Sequence, residues 1–287
     1  MGESWREVAD RVFVRRHRSF DLNIGLVLGD GGCLVVDTRM SHREARDLVE
    51  AIRTVTPHPW TVVNTHAHFD HFFGNAVFRP APIWGHVRCA EMIEEYGQVQ
   101  RAAVVGHAEQ DGDDAVLADM AELSIDPPDR TFAAEAALAI GGRAVHLRHL
   151  GRGHTDNDIV VEVPDAGVLF AGDLLEEGAP PAFGDGFPLD WPATADRLRA
   201  LVRGPVVPGH GDVMDADGVD RQAGELAETA RVARAAFAAG RTVAEAWPDV
   251  PYPEQTARDA LTRAYRQLRG QPPYEPPERW LADLKQS

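Results

Sequence analysis

The sequence predicts a mixed α/β fold in which helices lie outside packed sheets. Short runs rich in valine, isoleucine, leucine and phenylalanine, bounded by glycine, proline or aspartate, indicate strands in both halves of the 287-residue chain. Segments with helical spacing of apolar residues recur between these runs. The composition, 44% hydrophobic and 26% charged, is typical of a globular protein with a sizeable core. The recurrence of both element types along the chain is what favours the α/β class.

The first third of the chain predicts two hairpins, then a helix and a buried strand. Strands separated by turn-forming residues are expected at residues 11–15, 23–28 and 33–37. Ser41 is a helix N-cap candidate, and Glu44 three residues later would complete a capping box. The apolar face of this helix is formed by Ala45, Leu48, Val49 and Ile52. Residues 56–59 end the helix, and residues 60–64 predict a buried strand.

The rest of the chain predicts a mainly helical stretch, a run of strands and a helical C-terminal part. The helical stretch covers residues 86–125 and is expected to break at Gly97, at Gly106 and at 111–113. The four strands that follow are expected at residues 137–140, 143–150, 158–163 and 167–171. A loop dense in glycine, proline and aromatic residues covers 178–191. The later elements are a helix at 192–202, a strand at 205–207, helices at 219–240 and 254–268, and a proline-rich tail around 271–277.

The charge and the cysteine count exclude several classes of function. The formal charge of -16 repels phosphate backbones and anionic membranes, so neither nucleic acid nor a membrane is an expected partner. The N-terminus has no apolar run typical of a signal peptide, and no stretch is long enough to span a bilayer, which favours a cytoplasmic protein. Cys33 and Cys89 are too few for a disulfide framework or a cysteine-type zinc site.

The chemistry is indicated by seven potential metal ligands that stand at turns after predicted strands. One cluster and three separate glycine-flanked positions contain them: His66, His68, Asp70 and His71, then His154, Asp173 and His210. Glycine beside a ligand permits the tight turns that several loops need to converge on one ion. Neutral imidazole and carboxylate are ligands of zinc, and also of iron or manganese. Residues two apart in an extended segment point the same way, so His66 and His68 can share an ion, and Asp70 and His71 can face a neighbouring one.

These residues resemble the motif of the metallo-β-lactamase superfamily, over roughly residues 8–215. The resemblance implies a four-layer αβ/βα sandwich with a C-terminal helical extension, divided as residues 1–215 for the sandwich and 216–287 for helices and tail packed on it. It also implies two Zn²⁺ ions, with iron or manganese as alternatives. One ion would be held by His66, His68 and His154, the other by Asp70, His71 and His210, and Asp173 would bridge the two.

The implied reaction is hydrolysis of a small carbonyl substrate by a metal-bridging hydroxide, because two nearby dications lower the pKa of a water molecule between them. Asp70 is the candidate to orient this nucleophile and take its proton. We expect Thr65, Thr155 and Asp158 to support the ligands by fixing imidazole tautomers.

The branch of the superfamily is narrowed by departures from family patterns. Asp173 stands where one class of true β-lactamases has a cysteine, which argues against a dedicated β-lactamase, as does the absent signal peptide. The residues after His154 depart from the Pro-Gly found in glyoxalase II-type thioesterases and persulfide dioxygenases, which argues against a glutathione substrate. Nucleic-acid-processing members are disfavoured by the acidic charge. A lactone, thioester, ester or amide remains the expected small-molecule substrate.

Two alternative functions stay open at this point. One is a mononuclear-iron enzyme similar to persulfide dioxygenases, since the ligand types are the same. The other is a non-catalytic metal-binding module, although a purely structural site needs four ligands rather than seven. The C-terminal helices either cover the sandwich or form a homodimer contact.

The substrate pocket is expected beside the ligands. Aromatic residues near them form either an apolar wall with a lid or part of the core: Phe69, Phe72, Phe73, Phe183, Phe187 and Trp191. Arg152 is either a receptor for a substrate carboxylate or a solvated side chain.

Overall fold

The protein is a sandwich of two sheets, each covered on its outer face by helices. The structure is a computed structural model that describes residues 3–274. The first sheet has seven strands in chain order: β1 (Trp5–Ala9), β2 (Val12–Arg16), β3 (Asn23–Leu28), β4 (Cys33–Val36), β5 (Trp60–Val63), β6 (Ile83–His86) and β7 (Arg130–Phe132). The second sheet has five strands: β8 (Glu135–Ile140), β9 (Arg143–Arg148), β10 (Val160–Val163), β11 (Val168–Glu176) and β12 (Val206–His210). Each of these strands also pairs with its neighbour in the chain.

Eight α-helices connect or cover these strands in the described region. Their bounds are α1 (His42–Val55), α2 (Phe69–Phe72), α3 (Val87–Asp111), α4 (Asp114–Glu122), α5 (Trp191–Arg199), α6 (Ala216–Ala238), α7 (Val243–Ala246) and α8 (Glu254–Leu268). Strands β1 to β4 run antiparallel and β4 to β7 parallel. In the second sheet only the β11–β12 pair is parallel. Within residues 3–274, no helix has both the length and the apolar character needed to cross a bilayer.

The core is divided among three layers because the inner strands are apolar on both faces. On β4, Leu34 and Val36 join the cluster between the sheets, whereas Cys33 and Val35 face α1. This alternation is the period of two that a strand imposes. On the other side, β10 and β11 pack against α5, α6 and α8. The four-layer αβ/βα arrangement is therefore confirmed.

Local sequence signals explain the start of α1. Ser41 caps the helix, its hydroxyl accepting from the Glu44 N–H at 3.2 Å. The second half of the predicted capping box does not form, because the Glu44 carboxylate lies 2.7 Å from the buried Arg39 guanidinium and accepts from Ser19 Oγ at 3.1 Å. Ala45, Leu48 and Ile52 of the expected apolar face are buried.

Several sequence-based expectations for the elements are wrong. Strands β1, β6 and β7 were not expected. Helix α3 continues through Gly97 and Gly106, because a glycine costs only about 1 kcal/mol in a helix and the Gly97 position packs against Ile125. The expected break at Gly112 is confirmed by its left-handed conformation at the end of α3, with φ +67°. Part of the expected proline-rich tail, residues 275–277, lies outside the described residues.

Candidate metal centre

All seven predicted ligand residues converge at one edge of the sandwich, where strands of both sheets end. His66 and His68 follow β5, and α2 carries Asp70 and His71. The second sheet contributes the rest: His154 from the loop between β9 and β10, Asp173 from β11 and His210 from the end of β12. The loop ends of two facing sheets therefore supply one cluster.

The seven side chains form two groups. In each group the potential ligand atoms lie within 4.8 Å of one another: His66, His68, His154 and Asp173 in the first group, and Asp70, His71 and His210 in the second. In the first, His68 Nδ1 lies 3.1 Å from His66 Nε2 and 2.7 Å from His154 Nε2. In the second, Asp70 Oδ2 lies 3.4 Å from His210 Nε2 and 3.6 Å from His71 Nε2.

Asp173 stands between the two groups. Its Oδ2 lies 3.6 Å from His66 Nε2 and 3.5 Å from His154 Nε2 in the first group. The same oxygen lies 3.1 Å from His210 Nε2, and Oδ1 lies 3.3 Å from His71 Nε2. Oδ1 is buried and lacks a hydrogen-bond partner. One carboxylate is thus in reach of ligands from both groups.

Glycines create the space that Asp173 occupies. A Cβ at Gly209 would lie 1.8 Å from Asp173 Oδ1, so no other residue fits there. Gly172 has φ +53°, and the β11–β12 register shifts on both sides of it. The expectation that Asp173 follows a strand is wrong, because β11 continues through it to Glu176 as an irregular strand.

Each imidazole of the cluster has its second nitrogen near an oxygen. These contacts join His66 Nδ1 to Thr65 Oγ1 at 3.1 Å, His68 Nε2 to Asp185 Oδ2 at 3.1 Å, His71 Nδ1 to Asp37 Oδ2 at 2.8 Å, His154 Nδ1 to the Ala182 carbonyl at 3.1 Å and His210 Nδ1 to the Phe20 carbonyl at 2.6 Å. An N–H donated outward leaves the inward nitrogen as a lone pair, which is the tautomer that binds a metal.

Only one of the three expected supporting residues contacts a ligand in this way. Thr65 does so through its hydroxyl. The expectation is wrong for Thr155 and Asp158, because their side chains bond to one another, Thr155 Oγ1 donating to Asp158 Oδ1 at 2.6 Å.

Sequence reasoning missed Asp37 and Asp185. Asp37 is the residue directly after β4 and has φ +66°, a conformation rare for residues other than glycine. The signal in the sequence that could have identified Asp37 is a carboxylate at the end of a predicted strand.

The residues present fit the binding of metal ions, since each of the two groups could hold one. Five inward-facing imidazole nitrogens and two carboxylates lie 2.7–3.6 Å from one another. Hydrogen bonds among these groups leave the buried Oδ1 of Asp173 without a partner. Imidazole with carboxylate is a donor set typical of zinc and also accepted by iron or manganese.

The comparison with known families agrees with this centre. The family model described as "Metallo-beta-lactamase superfamily" matches residues 20–210, the stretch that contains all seven residues. The chain belongs to the metallo-β-lactamase superfamily. Members of this superfamily are generally metal-dependent hydrolases, and the histidine and aspartate cluster of this chain is consistent with that chemistry.

Relatives within the superfamily are distant in sequence. A "Metallo-beta-lactamase type 2" of Bacteroides fragilis is 27% identical over 193 residues, which are 65% of this chain and 68% of that protein. A protein of the same name from Bacillus cereus is 25% identical over 198 residues, covering 67% of this chain and 68% of that protein.

Solved structures share the fold. A metallo-beta-lactamase from Pontibacter korlensis aligns with a TM-score of 0.58 and 22% identity, over 78% of this chain and 98% of that one. The sec-alkyl sulfatase PisA1, as a double mutant, aligns with a TM-score of 0.73 and 15% identity, over 96% of this chain and 51% of that one.

The charges around the centre lower the pKa of some of its imidazoles and raise the pKa of others. Burial and the neighbouring charge of His68 lower the pKa of His154 to about 4. Burial also opposes protonation of His210, but the carboxylate of Asp173 outweighs it and raises the pKa of His210 to about 10. Burial works against ionisation of Asp173 as well, yet His210 and its neighbours hold the pKa of this carboxyl well below its usual value. Without an ion, a proton on an imidazole supplies the positive charge that the carboxylates need.

The centre forms the floor of an open cavity of about 1390 Å³. His68, Asp70 and His210 line it. Phe69 lines it too, so the expectation of an apolar wall holds for this aromatic. The other five aromatics belong to the core and are buried: Phe72, Phe73, Phe183, Phe187 and Trp191.

Arg152 lies outside this cavity. Its guanidinium pairs with Asp190 at 2.6 Å, lies over the Phe187 ring at 4.7 Å and lines a separate cavity of about 400 Å³. Its charge is therefore partnered within the protein, away from the metal centre.

Proposed function

We propose that the protein is a dinuclear metal-dependent hydrolase that acts on a carbonyl substrate such as a lactone, thioester, ester or amide. The observation that carries this proposal is the position of Asp173, whose carboxylate contacts histidines of both groups while Oδ1 has no hydrogen-bond partner. A single ion would use one group and leave the second without a function.

The proposed ligand assignment follows the two groups. His66, His68 and His154 would hold one ion, Asp70, His71 and His210 the other, and Asp173 both. Bound as a pair, the ions would supply Lewis acidity and a water molecule acidic enough to react as a nucleophile near neutral pH. Two Zn²⁺ are proposed, with iron or manganese as alternatives.

Asp70 is proposed as the catalytic residue of the chain. It is buried, lines the cavity and extends its Oδ2 between His71 and His210. A carboxylate held there can accept the proton of the nucleophile and orient it toward a carbonyl entering from the cavity. The outward hydrogen bonds of the imidazoles keep the remaining ligands in place while the substrate binds.

Metal content is the first test. Tag-free protein expressed without added metal is analysed by plasma mass spectrometry, and about two zinc ions per chain are expected. The loaded protein is then screened against lactones, thioesters, esters, amides and β-lactams. The β-lactams are included because the relatives compared above are named for them, although Asp173 argues against a dedicated β-lactamase.

Paired variants make the test specific. Asp173→Asn removes the shared charge and is expected to lose metal and turnover, whereas Asp165→Asn, which alters an exposed carboxylate paired with Arg143, is expected to keep both. Full turnover by the Asp173 variant would overturn the proposal.

The alternatives have distinct outcomes in the same experiment. About one iron per chain, with oxygen consumption on a persulfide, would replace the hydrolase by an oxygenase. Bound metal without turnover on any substrate would favour a non-catalytic module.

The remaining proposals concern the rest of the chain. We propose a cytoplasmic protein that acts on a small-molecule substrate. Neither nucleic acid nor a membrane is proposed as a partner, because the charge of -16 repels phosphate backbones and anionic membranes. Residues 1–215 and 216–287 are proposed as sandwich and helical extension, the latter either covering the sandwich or contacting a second copy in a homodimer.

A further inference from the structure

One face of α3 forms part of the wall of the cavity at the metal centre. Its apolar residues follow helical spacing and line the cavity: Met92, Tyr96, Val99 and Ala103. At 1.5 Å per residue, this stripe is about 16 Å long. Val104 and, from α4, Val116 extend the same wall. The cavity therefore has an elongated apolar side, and α3 meets the ligand loop where Gln100 Nε2 donates to the Ala67 carbonyl at 2.8 Å.

The rim of the cavity is aromatic. Phe20 is 54% exposed and is the exposed large hydrophobic side chain found within residues 3–274. Its ring meets Phe69 edge-to-face, with ring centroids 5.3 Å apart, and both residues line the cavity. These two rings give the cavity an apolar edge beside the metal centre.

The cavity is also larger than a small substrate requires. Ligand pockets usually have about 300–1,000 Å³, and this one has about 1390 Å³. A lactone ring or a short ester held at Asp70 and Asp173 would leave the whole α3 side to water.

We infer that the substrate carries a long unbranched apolar chain next to its reactive carbonyl, with the carbonyl at Asp70 and Asp173 and the chain along the stripe of α3. This inference rests on the proposed hydrolase function and names its substrate class, the long-chain acyl esters and thioesters. Phe20 and Phe69 would cover the part of the chain nearest the reacting carbonyl.

The expected magnitude follows from burial of methylene groups. Each buried CH₂ is worth about 0.8 kcal/mol, which corresponds to roughly a fourfold change in binding. A homologous series should therefore gain about that factor per methylene until the stripe is filled, and then level off.

Two measurements test the inference. Calorimetry of the metal-loaded protein with acetate, hexanoate and decanoate measures binding of product-like chains without any reaction. Hydrolysis of acetyl, hexanoyl and decanoyl thioesters, kept below their micelle concentrations, measures kcat/KM. Both series are expected to rise steeply with chain length.

Matched variants locate the effect. Ala103→Phe places a ring in the stripe and should reduce the gain from hexanoyl to decanoyl at least tenfold. Ala102→Phe puts the same ring on a neighbouring residue that is not part of the cavity lining and should keep the wild-type series. Val116→Phe, on α4, is a second blocking variant if the first misfolds.

The outcomes separate the inference from the function it rests on. Turnover that is independent of chain length, or equal chain-length profiles for both alanine variants, would refute the inference and leave the hydrolase proposal intact. No turnover of any thioester by fully loaded protein would count against the hydrolase. In that case, rising affinity from acetate to decanoate would still support an apolar-chain site, and constant affinity would refute it.

Discussion

Asp37→Asn is expected to weaken metal binding at Asp70, His71 and His210 far more than at the other group. The carboxylate of Asp37 is 2% exposed, and its Oδ2 accepts from both His71 Nδ1 and Thr65 Oγ1 at 2.8 Å. Asparagine retains one oxygen for the Thr65 N–H but places an amide N–H opposite His71 Nδ1–H. His71 must then lose its outward bond, which no longer holds the ring in place, or change tautomer, which puts a proton on the nitrogen aimed at the ion.

The size of the effect follows from burial. Loss of an outward partner of this kind costs about 10- to 100-fold in metal affinity, and no water can replace Oδ2 at a buried position, so we expect the upper end of this range. His66 should be less affected, because the Thr65 hydroxyl has two lone pairs and can still accept from His66 Nδ1. Asp185→Asn is the matched control on the first group. Asp185 is 28% exposed, water can take over its bond to His68, and a loss of tenfold or less is expected there.

Competition with a chromophoric chelator, fitted for two ions, measures both affinities. Combining each variant with His68→Ala, which disables the first group, identifies the group that has weakened. If Asp37→Asn left both affinities unchanged, or if it and Asp185→Asn weakened the same group equally, the assignment of outward hydrogen bonds to separate ions would be wrong.

Three further predictions follow from packing and charge. Gly209→Ala should lose most bound metal, because its Cβ would displace Asp173. Gly224→Ala, with open space around it in α6, should keep both ions and raise the free energy of unfolding by about 0.5–1 kcal/mol. Equal metal content in the two variants would contradict this prediction. In metal-free protein, carboxylates outweigh burial and raise the pKa of His68 to about 9 and of His210 to about 10, so the stability these protons confer is complete below about pH 6.5 and is lost as pH rises through those values. Calorimetry should show Tm falling between about pH 7 and pH 9 without metal, and a rise would refute the argument. Cys33 and Cys89 are buried and free, and burial raises the pKa of Cys33 to about 11 and that of Cys89 well above its usual value. A disulfide reagent at about pH 8 should therefore label both thiols only as the protein unfolds. Rapid labelling of the native protein would be inconsistent with this packing.

The sequence predicted those elements whose signals are local. The N-cap at Ser41 and the apolar face of α1 are contained within one helix, and β3 is confirmed at residues 23–28. Strand β7, with only three residues, and β6, which contains Gly85, form because a neighbouring strand pairs with them. Such pairing joins residues far apart in the chain, and no local pattern reports it.

The same distinction applies to the metal centre. Its seven residues could be predicted because their types and their flanking glycines stand in the sequence. The groups that hold the imidazoles in place could not. Two of them, at Ala182 and Phe20, are backbone carbonyls, which every residue possesses, and Asp37 meets His71 only after the chain has folded β5 beside β4.

The distribution of the seven residues has a consequence for how the protein matures. Four of them are attached to the first sheet and three to the second, so an ion held as proposed at Asp173 would join the two halves as a removable cross-link. Neither half alone offers all seven residues, so the proposed site would require the two sheets to dock before the chain could retain metal. Metal retention would then serve as a checkpoint for correct folding, and withdrawal of the ion would loosen the seam between the halves before it disturbs either one.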